Sequence, residues 1–321
     1  MSNIVFGPVP SRRLGRSLGV NNIPPPKTCS YSCVYCQLGK TENLSITRRF
    51  TYNPKTIIES IGECLEKFPS KIDYITFVPD GEPTLDLSLG EEVKLIKEIT
   101  NIPVAILTNS SLLFKEEVRN DLYRFDLVSF KIDAISEELW RKINRPHSSL
   151  TFEEVLKGVE KFRKEFSGKI FSETMIVKDV NTNEVELKKI SEWLMRICPD
   201  KAYISIPIRP PAETWVVPPS EEQIVNAWNI FVENLGKDNV KLIIEYEGMD
   251  FELARDPVED ILSITSIHPM KLEYALHALS KRVPDPRKVI ADLLNSRKLK
   301  LINYRGTSFL LRRIREDRDQ E

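Results

Sequence analysis

Three cysteines within one short segment near the start of this 321-residue chain limit its chemistry more than any other feature. Cys29, Cys33 and Cys36 follow the spacing C-x3-C-x2-C, and Tyr35 places an aromatic ring directly before the last thiol. Thiolates grouped in this way are ligands of an iron–sulfur cluster or of zinc. A structural zinc site needs four ligands, whereas this segment has three and the histidines lie far downstream. Three thiolates on a four-iron cluster would leave one iron open to another ligand.

The remaining composition is that of a soluble globular protein, with 41% hydrophobic and 29% charged residues. The five cysteines are odd in number and three are clustered, which argues against a disulfide framework and predicts a reducing, cytoplasmic setting. Cys64 and Cys198 stand in amphipathic patterns, so we expect both to be buried apolar residues. The N-terminus has no signal-peptide pattern and no apolar run is long enough for a membrane span, so we expect no membrane partner.

Helix and strand patterns alternate through the central part of the chain. Apolar stripes with helical spacing predict helices at 54–68, 90–100, 115–122, 151–166, 184–197 and 220–234. Short apolar runs predict strands at 74–78, 104–108, 127–132, 170–177, 202–208 and 240–246. With one more strand before the cysteine segment, these six or seven repeats are too few for a closed eight-fold barrel. They predict an α/β fold with a parallel sheet in a partial (β/α)6 TIM-like barrel, over residues 29–250.

Polar residues follow the first two predicted strands, where parallel α/β folds place their chemistry. Gly81-Glu82-Pro83 comes directly after strand 74–78, with Asp80 before it. The glycine permits close approach of a ligand, and the carboxylate can accept from a cation. Asn109 ends the next strand, where its amide could bind a ligand or cap a helix.

The third strand carries ionisable residues toward one side of the sheet. Alternation along this strand places Ser129, Lys131 and Asp133 on one face. A lysine and an aspartate inside a barrel are costly unless they bind something or each other. We therefore expect a ligand contact here, or an internal Lys131–Asp133 ion pair.

These motifs together resemble the radical S-adenosylmethionine (SAM) superfamily, which has a C-x3-C-x-aromatic-C signature and a G-E-P element. The resemblance implies a [4Fe–4S] cluster on Cys29, Cys33 and Cys36, with SAM chelated to the open iron. It implies reductive cleavage of SAM to a 5′-deoxyadenosyl radical that removes a hydrogen atom from a substrate, with flavodoxin or ferredoxin as the electron donor. The SAM-binding residues that the resemblance suggests are Tyr35, Gly81, Glu82, Pro83, Asn109, Ser129, Lys131 and Asp133.

Residues 1–28 read as a basic N-terminal arm that contains a run of arginines. Guanidinium groups bind phosphate or carboxylate bidentately, although a solvated arm would show the same composition. Near the end of a later strand, an arginine and a tryptophan could hold a substrate, the tryptophan by stacking on a base. The candidate substrate residues outside the C-terminal region are Arg12, Arg13, Arg16, Arg209 and Trp215.

Residues 9–20 and the sequence Gln37-Leu38-Gly39 after the cysteines resemble a narrower group within the superfamily. This group comprises archaeal and bacterial radical SAM iron–sulfur oxidoreductases related to the tRNA wyosine synthases. Archaeal demethylwyosine synthase has a second cluster on further cysteines, whereas Cys64 and Cys198 are isolated here. We therefore do not expect the wyosine reaction itself.

The pattern changes after residue 250. Residues 256–315 contain helical patterns at 258–263, 270–279 and 286–296, followed by a hairpin pattern at 299–304 and 308–314. This is the order of elements in a winged-helix domain, and we expect residues 316–321 to form a tail. Residues 266–315 hold twelve lysines and arginines and three acidic residues, a net charge of +9, although the whole chain has −1. A basic helix and wing are typical of phosphate-backbone binding, with Arg287, Lys298 and Arg305 as candidate contacts. Docking to an acidic partner or to the barrel is the alternative.

Three functions are compatible with these patterns. The first is a radical SAM enzyme that acts on a nucleic acid, most simply tRNA, or on another phosphorylated substrate. The second is a radical SAM enzyme for a small metabolite or a peptide, with the winged helix as a docking module. The third is a DNA-binding iron–sulfur or zinc regulator that senses redox state, although the long barrel pattern exceeds what a sensor needs.

Overall fold

The computed structural model describes residues 4–68, 72–253 and 256–313. Within them the strands are β1 (Val5–Ser11), β2 (Gly15–Val20), β3 (Thr28–Cys29), β4 (Asn43–Leu44), β5 (Tyr74–Phe77), β6 (Val104–Thr108), β7 (Leu127–Lys131), β8 (Lys169–Met175), β9 (Lys201–Ser205), β10 (Val240–Ile243), β11 (Met270–Lys271), β12 (Leu299–Tyr304) and β13 (Thr307–Arg312). The helices are α1 (Pro54–Lys67), α2 (Leu89–Ile99), α3 (Glu116–Leu122), α4 (Glu137–Asn144), α5 (Phe152–Glu165), α6 (Glu184–Ile197), α7 (Glu221–Leu235), α8 (Pro257–Ile267), α9 (Leu272–Ser280) and α10 (Pro286–Asn295).

The largest sheet has the strand order β1-β2-β5-β6-β7-β8-β9-β10. Its neighbours from β2 to β10 pair in parallel, and β1 is antiparallel to β2 at one edge. The sheet curls: Arg12 in the β1–β2 turn donates to the carbonyl oxygens of Ile243, at the end of β10, and of Glu245, two residues beyond it, at 3.5 and 3.0 Å. The predicted partial α/β barrel is therefore confirmed.

Apolar side chains close the amino-terminal half of the barrel. One inward-facing side chain from each of the strands β6 to β9 joins Leu14, from the β1–β2 turn, in a single buried cluster. The four strand residues are Ala105, Leu127, Phe171 and Tyr203. Helices α1 to α7 cover the outside, and their apolar stripes bury the outward faces of the strands. Because the lower interior is filled in this way, polar residues further along the same strands face open space at the carboxyl ends.

Several elements differ from the sequence-based expectation. Residues 5–20, treated above as part of a basic arm, form the β1–β2 hairpin and join the barrel through β2–β5 pairing. Helix α4 was not predicted, because its apolar positions are few and lie among charged residues. Strands β9 and β10 end three residues earlier than predicted, since proline at 207 and 210 and glycine at 248 interrupt regular pairing.

The C-terminal unit contains α8, α9 and α10 and a sheet with the order β11-β13-β12. The predicted hairpin is present, with Tyr304 opposite Thr307. The second helix begins later than expected, because Met270–Lys271 pairs with β13 as β11. The core of this unit includes Phe6 and Val9 from β1, so it packs on the edge of the barrel sheet. The assignment as a winged helix stays a prediction, and residues 314–321 lie outside the described residues.

No helix in the described ranges combines the length and the apolar character needed to cross a membrane. Cys64 is buried in the barrel core as expected, whereas Cys198 is exposed at the end of α6.

A buried pair of acidic residues lies at the start of α2, with Glu92 in its first turn and Asp86 in the segment before it. Asp86 and Glu92 are both 0% exposed. Asp86 accepts from the Thr51 hydroxyl at 2.5 Å, the Ser88 amide at 2.9 Å and the Asn22 amide at 3.3 Å. Neither carboxyl oxygen of Glu92 meets a hydrogen-bond donor within the described residues. Burial, and then the charge of Asp86, raises the pKa of Glu92 to about 10, so Glu92 holds a proton in the folded state.

The proton on Glu92 predicts a pH-dependent loss of stability. Folded Glu92 keeps its proton from pH 4.5 to about 10, whereas the unfolded chain releases it, so the free energy of unfolding falls as pH rises through this range. The slope for one proton is about 1.4 kcal/mol per pH unit. We expect Glu92→Gln to remove this fall, as measured by urea unfolding between pH 6 and pH 9. Glu63→Gln, at an exposed position of α1, is the control and should unfold like the original protein. An unchanged slope in Glu92→Gln would contradict the assignment.

Candidate active site

A cavity of about 320 Å³ lies at the carboxyl ends of the barrel strands. The cysteine segment, the strand ends, the β1–β2 hairpin and the start of the C-terminal unit all contribute to its wall. The residues predicted from sequence that line this cavity are Arg12, Arg13, Cys29, Cys33, Tyr35, Cys36, Gly81, Glu82, Asn109, Ser129, Lys131 and Arg209. Sequence reasoning thus placed residues from six separate segments around one space.

Seven further candidates do not line the cavity. Pro83 begins a single 3₁₀ turn behind Glu82, Arg16 forms an ion pair with Glu252 at 2.5 Å, and Trp215 lies in a loop with 45% of its surface exposed. The basic candidates of the C-terminal unit are exposed on its surface, and they are Arg287, Lys298 and Arg305. Asp133 is buried beside the cysteine segment and is described below.

Backbone hydrogen bonds hold the cysteine segment on two sides. On one side Thr28 donates to the Asp80 carbonyl at 3.2 Å and accepts from the Glu82 amide at 3.1 Å. On the other side Val34 donates to the Ile143 carbonyl in α4 at 2.9 Å. The three thiols are therefore fixed between the G-E-P turn and α4, two elements that are distant in sequence.

Each cysteine sulfur has a nitrogen donor from a different part of the chain. Lys27 Nζ lies 3.1 Å from Cys36 Sγ, Asn109 Nδ2 lies 3.5 Å from Cys29 Sγ, and Asn144 Nδ2 lies 3.5 Å from Cys33 Sγ. Donors aimed at sulfur are the usual environment of thiolates that bind an iron–sulfur cluster. Three thiols that face one cavity, each with such a donor, fit a cluster held by three cysteines.

Burial keeps two of the three thiols, Cys29 and Cys33, neutral at pH 7. Burial and the nearby carboxylate of Glu82 raise the pKa of Cys29 to about 12. Burial and the charge of Asp133 raise the pKa of Cys33 to about 11. Because thiolate is the form that binds a metal, cluster assembly must displace these protons.

Glu82 connects the G-E-P turn to the end of β6. Its carboxylate accepts from the hydroxyl groups of Thr108 and Thr84 at 2.5 and 2.6 Å and from the Asn109 amide at 2.8 Å. Burial raises the pKa of Glu82, although these donors oppose the shift. The Asn109 side chain in turn donates to Ser30 Oγ at 2.9 Å. Both residues therefore position the cysteine segment as well as facing the cavity.

Gly81 has a steric reason to be glycine. Its backbone pairs with Thr28, and a Cβ atom at this position would overlap the Thr28 carbonyl oxygen. Asp80, the residue before this turn, is buried against Asn21 and shares two hydrogen bonds with it at 3.0 and 3.3 Å. Asp80 therefore points away from the cavity that Gly81 and Glu82 line.

Lys131 pairs with Glu173 rather than with Asp133. Lys131 Nζ lies 3.4 Å from Glu173 Oε1 and 4.5 Å from the centroid of the Tyr35 ring, and Arg13 also binds Glu173. Burial alone would raise the pKa of Glu173, but the two cations outweigh it and hold the pKa well below its usual range. Lys131 thus connects the Tyr35 ring, in the cysteine segment, with Glu173 in the barrel interior.

Asp133 has structural partners instead. It accepts from the Tyr35 hydroxyl, from Asn144 Nδ2 at 2.7 Å and from the Met175 amide at 2.9 Å. The alternation that predicted one face for Ser129, Lys131 and Asp133 ends with β7 at Lys131, so Asp133 follows the loop and not the strand.

Part of the cavity wall is rich in cations. Arg209 forms hydrogen bonds with Glu247 at 2.5 Å, with Gln37 at 3.1 Å and with His268 at 3.1 Å, and His268 contacts Glu247 at 2.5 Å. Burial and the neighbouring guanidinium groups of Arg209 and Arg13 lower the pKa of Arg12 to about 9. Excess positive charge of this kind would be relieved by an anionic ligand.

Sequence reasoning missed four residues at this site: Gln37, Glu173 and His268 line the cavity, and Lys27 contacts Cys36 without lining it. Lys27 and Gln37 flank the cysteines without a chemical pattern of their own, and His268 lies too far downstream for the sequence to connect it with them. Glu173 was visible only as a polar residue on an inward face of β8. Gln37 Nε2 donates to the Ile267 carbonyl at 3.0 Å, which joins the cysteine segment to the C-terminal unit. Only long-range packing brings these residues together.

Comparison with known proteins identifies the family. The family model described as "Radical SAM superfamily" matches residues 23–189. The UPF0026 protein MJ1312 of Methanocaldococcus jannaschii is 46% identical over 313 residues, which are 97% of each chain. A UPF0026 protein of Helicobacter pylori strain J99 is 31% identical and spans 92% of this chain and 93% of that protein.

A solved structure shows the same fold. Streptococcus suis SuiB bound to S-adenosylmethionine superposes with a TM-score of 0.53 and 14% identity over 70% of this chain. The matched part is 49% of the SuiB chain, about half of its length. The family model covers more than half of the sequence, and the UPF0026 relatives match more than nine tenths of it. This chain therefore belongs to the radical SAM superfamily, whose enzymes use a [4Fe–4S] cluster and SAM.

Proposed function

We propose that this radical SAM enzyme acts on a nucleic acid and that its substrate is tRNA. Cys29, Cys33 and Cys36 would hold the cluster, with Gly81, Glu82 and the neighbouring strand ends beside SAM. When bound, this pair of groups supplies a carbon radical that removes a hydrogen atom from the substrate. The residues of the chain bind and orient the substrate and exclude water from the cavity.

The observation that carries this proposal is the contact between the basic C-terminal unit and the cavity. Ile267 and His268, at the end of α8, line the same space as the cysteines. Tyr304 donates from its hydroxyl to the carbonyl of Pro207, a cavity-lining residue, at 3.0 Å. Arg305, the next residue, lies in the exposed turn of the β12–β13 hairpin. A phosphate backbone bound by this hairpin would therefore lie close to the cavity.

The charge inside the cavity supports the same class of substrate. Arg12, Arg13 and Arg209 line the same space as the cysteines, and the carboxylates beside them, Glu173 and Glu247, are already engaged in ion pairs. Guanidinium groups that exceed their carboxylate partners favour a phosphate-bearing ligand over a neutral metabolite.

The reductant and the compartment follow from the cluster. Three free thiols that serve as ligands need a reducing compartment, so we retain the expectation of a cytoplasmic enzyme. A small electron-transfer protein such as flavodoxin or ferredoxin would supply the electron.

Removing the basic side chains of the C-terminal unit should weaken tRNA binding. We expect the triple variant R287A/K298A/R305A to bind tRNA at least about tenfold more weakly. The slope of log K against log salt should be smaller by about 2, because each phosphate contact that is lost no longer releases counterions on binding. A filter-binding titration at several salt concentrations measures both quantities.

The matched control is K94A/K157A/K188A, which removes the same charge from the outer helices α2, α5 and α6 and should bind normally. Salt-independent or absent tRNA binding by the original protein would discard the nucleic-acid substrate while leaving the radical SAM assignment intact. If tRNA binding is salt-dependent as expected, mass spectrometry of tRNA nucleosides from a deletion strain would identify the modified nucleoside.

A further inference from the structure

Lys27 is a buried lysine in direct contact with one of the three candidate cluster ligands. Only 7% of its surface is exposed. Its Nζ lies 3.1 Å from Cys36 Sγ and 2.5 Å from the carbonyl oxygen of Gly39. It precedes Cys29 by two residues, so it enters the cysteine segment together with the first thiol.

Lys27 differs in kind from the donors at the other two sulfurs. Asn109 and Asn144 approach Cys29 and Cys33 with neutral amides at 3.5 Å. Lys27 approaches Cys36 with a full positive charge at a shorter distance, in a site largely removed from water. Charge-assisted hydrogen bonds are stronger than neutral ones, and burial weakens the screening of the charge.

A positive charge beside a ligand sulfur mainly changes the reduction potential of a cluster. The reduction potential of an iron–sulfur cluster depends on its net charge, on hydrogen bonds to its sulfurs and on its exposure to solvent. Reduction adds one negative charge to the cluster. A fixed ammonium beside a ligand sulfur stabilises that reduced form more than the oxidised form and therefore raises the potential.

We propose that Lys27 is a tuning residue that raises the reduction potential of the [4Fe–4S] cluster through Cys36. This inference rests on the assignment of Cys29, Cys33 and Cys36 as cluster ligands in the proposed function. It goes beyond that assignment, because the cysteine motif alone does not identify a residue that sets the reduction potential of the cluster.

The test is a potentiometric titration of the reconstituted protein without SAM, followed by the electron paramagnetic resonance signal of the reduced cluster. We expect Lys27→Met to titrate at a more negative midpoint potential than the original protein and Lys27→Arg to stay near the original value. Lys40→Met is the matched control. It removes one lysine charge from the same segment, but Lys40 is 69% exposed and pairs with Glu213 at 3.3 Å, so its midpoint should not move.

A second neutral variant keeps the test decisive if Lys27→Met does not retain its cluster. Lys27→Gln preserves a nitrogen donor, and it should titrate between Lys27→Met and the original protein, and below Lys27→Arg. A full cluster with an unshifted midpoint in the neutral variants would overturn the proposal. Cluster loss from all three Lys27 variants would also overturn it, because Lys27 would then act by anchoring the segment through Gly39. If the original protein assembles no four-iron cluster, the proposed function fails instead.

Discussion

Cys33→Ala is expected to lose the cluster and, with it, all measurable SAM cleavage. Under the proposed ligand assignment, Cys33→Ala leaves two thiols where the cluster needs three, and it also removes the contact of Asn144 in α4 with the Cys33 sulfur. We expect iron and sulfide per chain to fall to a small fraction of the original, and formation of 5′-deoxyadenosine to fall by more than about 100-fold, since even indirect partners of metal ligands cost about 10–100-fold. Metal and sulfide analysis and chromatography of the reduced protein with SAM measure the two quantities.

Cys198→Ser is the control for this experiment. Cys198 is exposed at the C-terminal end of α6, far from the cavity lining, so its loss should leave cluster content and SAM cleavage unchanged. If anaerobic original protein carried one tetrahedral metal ion instead of a four-iron cluster, the ligand assignment would be wrong.

Local sequence patterns were sufficient for the barrel and for the ends of its strands. The alternation of helical and strand periodicity determines parallel pairing, and parallel pairing brings every strand end to one edge of the sheet. This is why Gly81, Asn109 and Lys131, which lie on three different strand ends, could be expected together. The alternation that placed Asp133 with Ser129 and Lys131 was carried two residues past the end of β7, and alternation has meaning only while the strand continues.

Residues that act through long-range packing could not be found in this way. β1 was missed because glycine and proline interrupt its alternation, and its pairing with β2 depends on the whole sheet. His268 reaches the cavity only because the C-terminal unit packs on β1, and no spacing in the sequence encodes that contact. The acid pair Asp86 and Glu92 likewise becomes a pair only in the folded chain.

The contact between Gly81 and Thr28 predicts that a single methyl group will displace the cysteine segment. A Cβ at position 81 would overlap the Thr28 carbonyl oxygen, and that oxygen belongs to backbone, which cannot rotate away as a side chain could. Thr28 immediately precedes Cys29, and its carbonyl also accepts from the Glu82 amide at 3.1 Å. We therefore expect Gly81→Ala to destabilise the protein by about 2–4 kcal/mol, comparable to overpacking with loss of a buried hydrogen bond.

The cluster should be affected more than the barrel. The strain acts on Thr28, next to Cys29, so Gly81→Ala should hold well under half of the original iron. The barrel helices are not strained, so the helical circular dichroism of the variant should be retained. Gly62→Ala is the matched control, since a Cβ at Gly62 in α1 meets no atom within 4 Å. Alanine there should stabilise the helix by about 1 kcal/mol and leave the iron content unchanged. Equal iron content in the two variants would mean that the G-E-P turn does not hold the cysteines in place, and that this turn serves SAM alone.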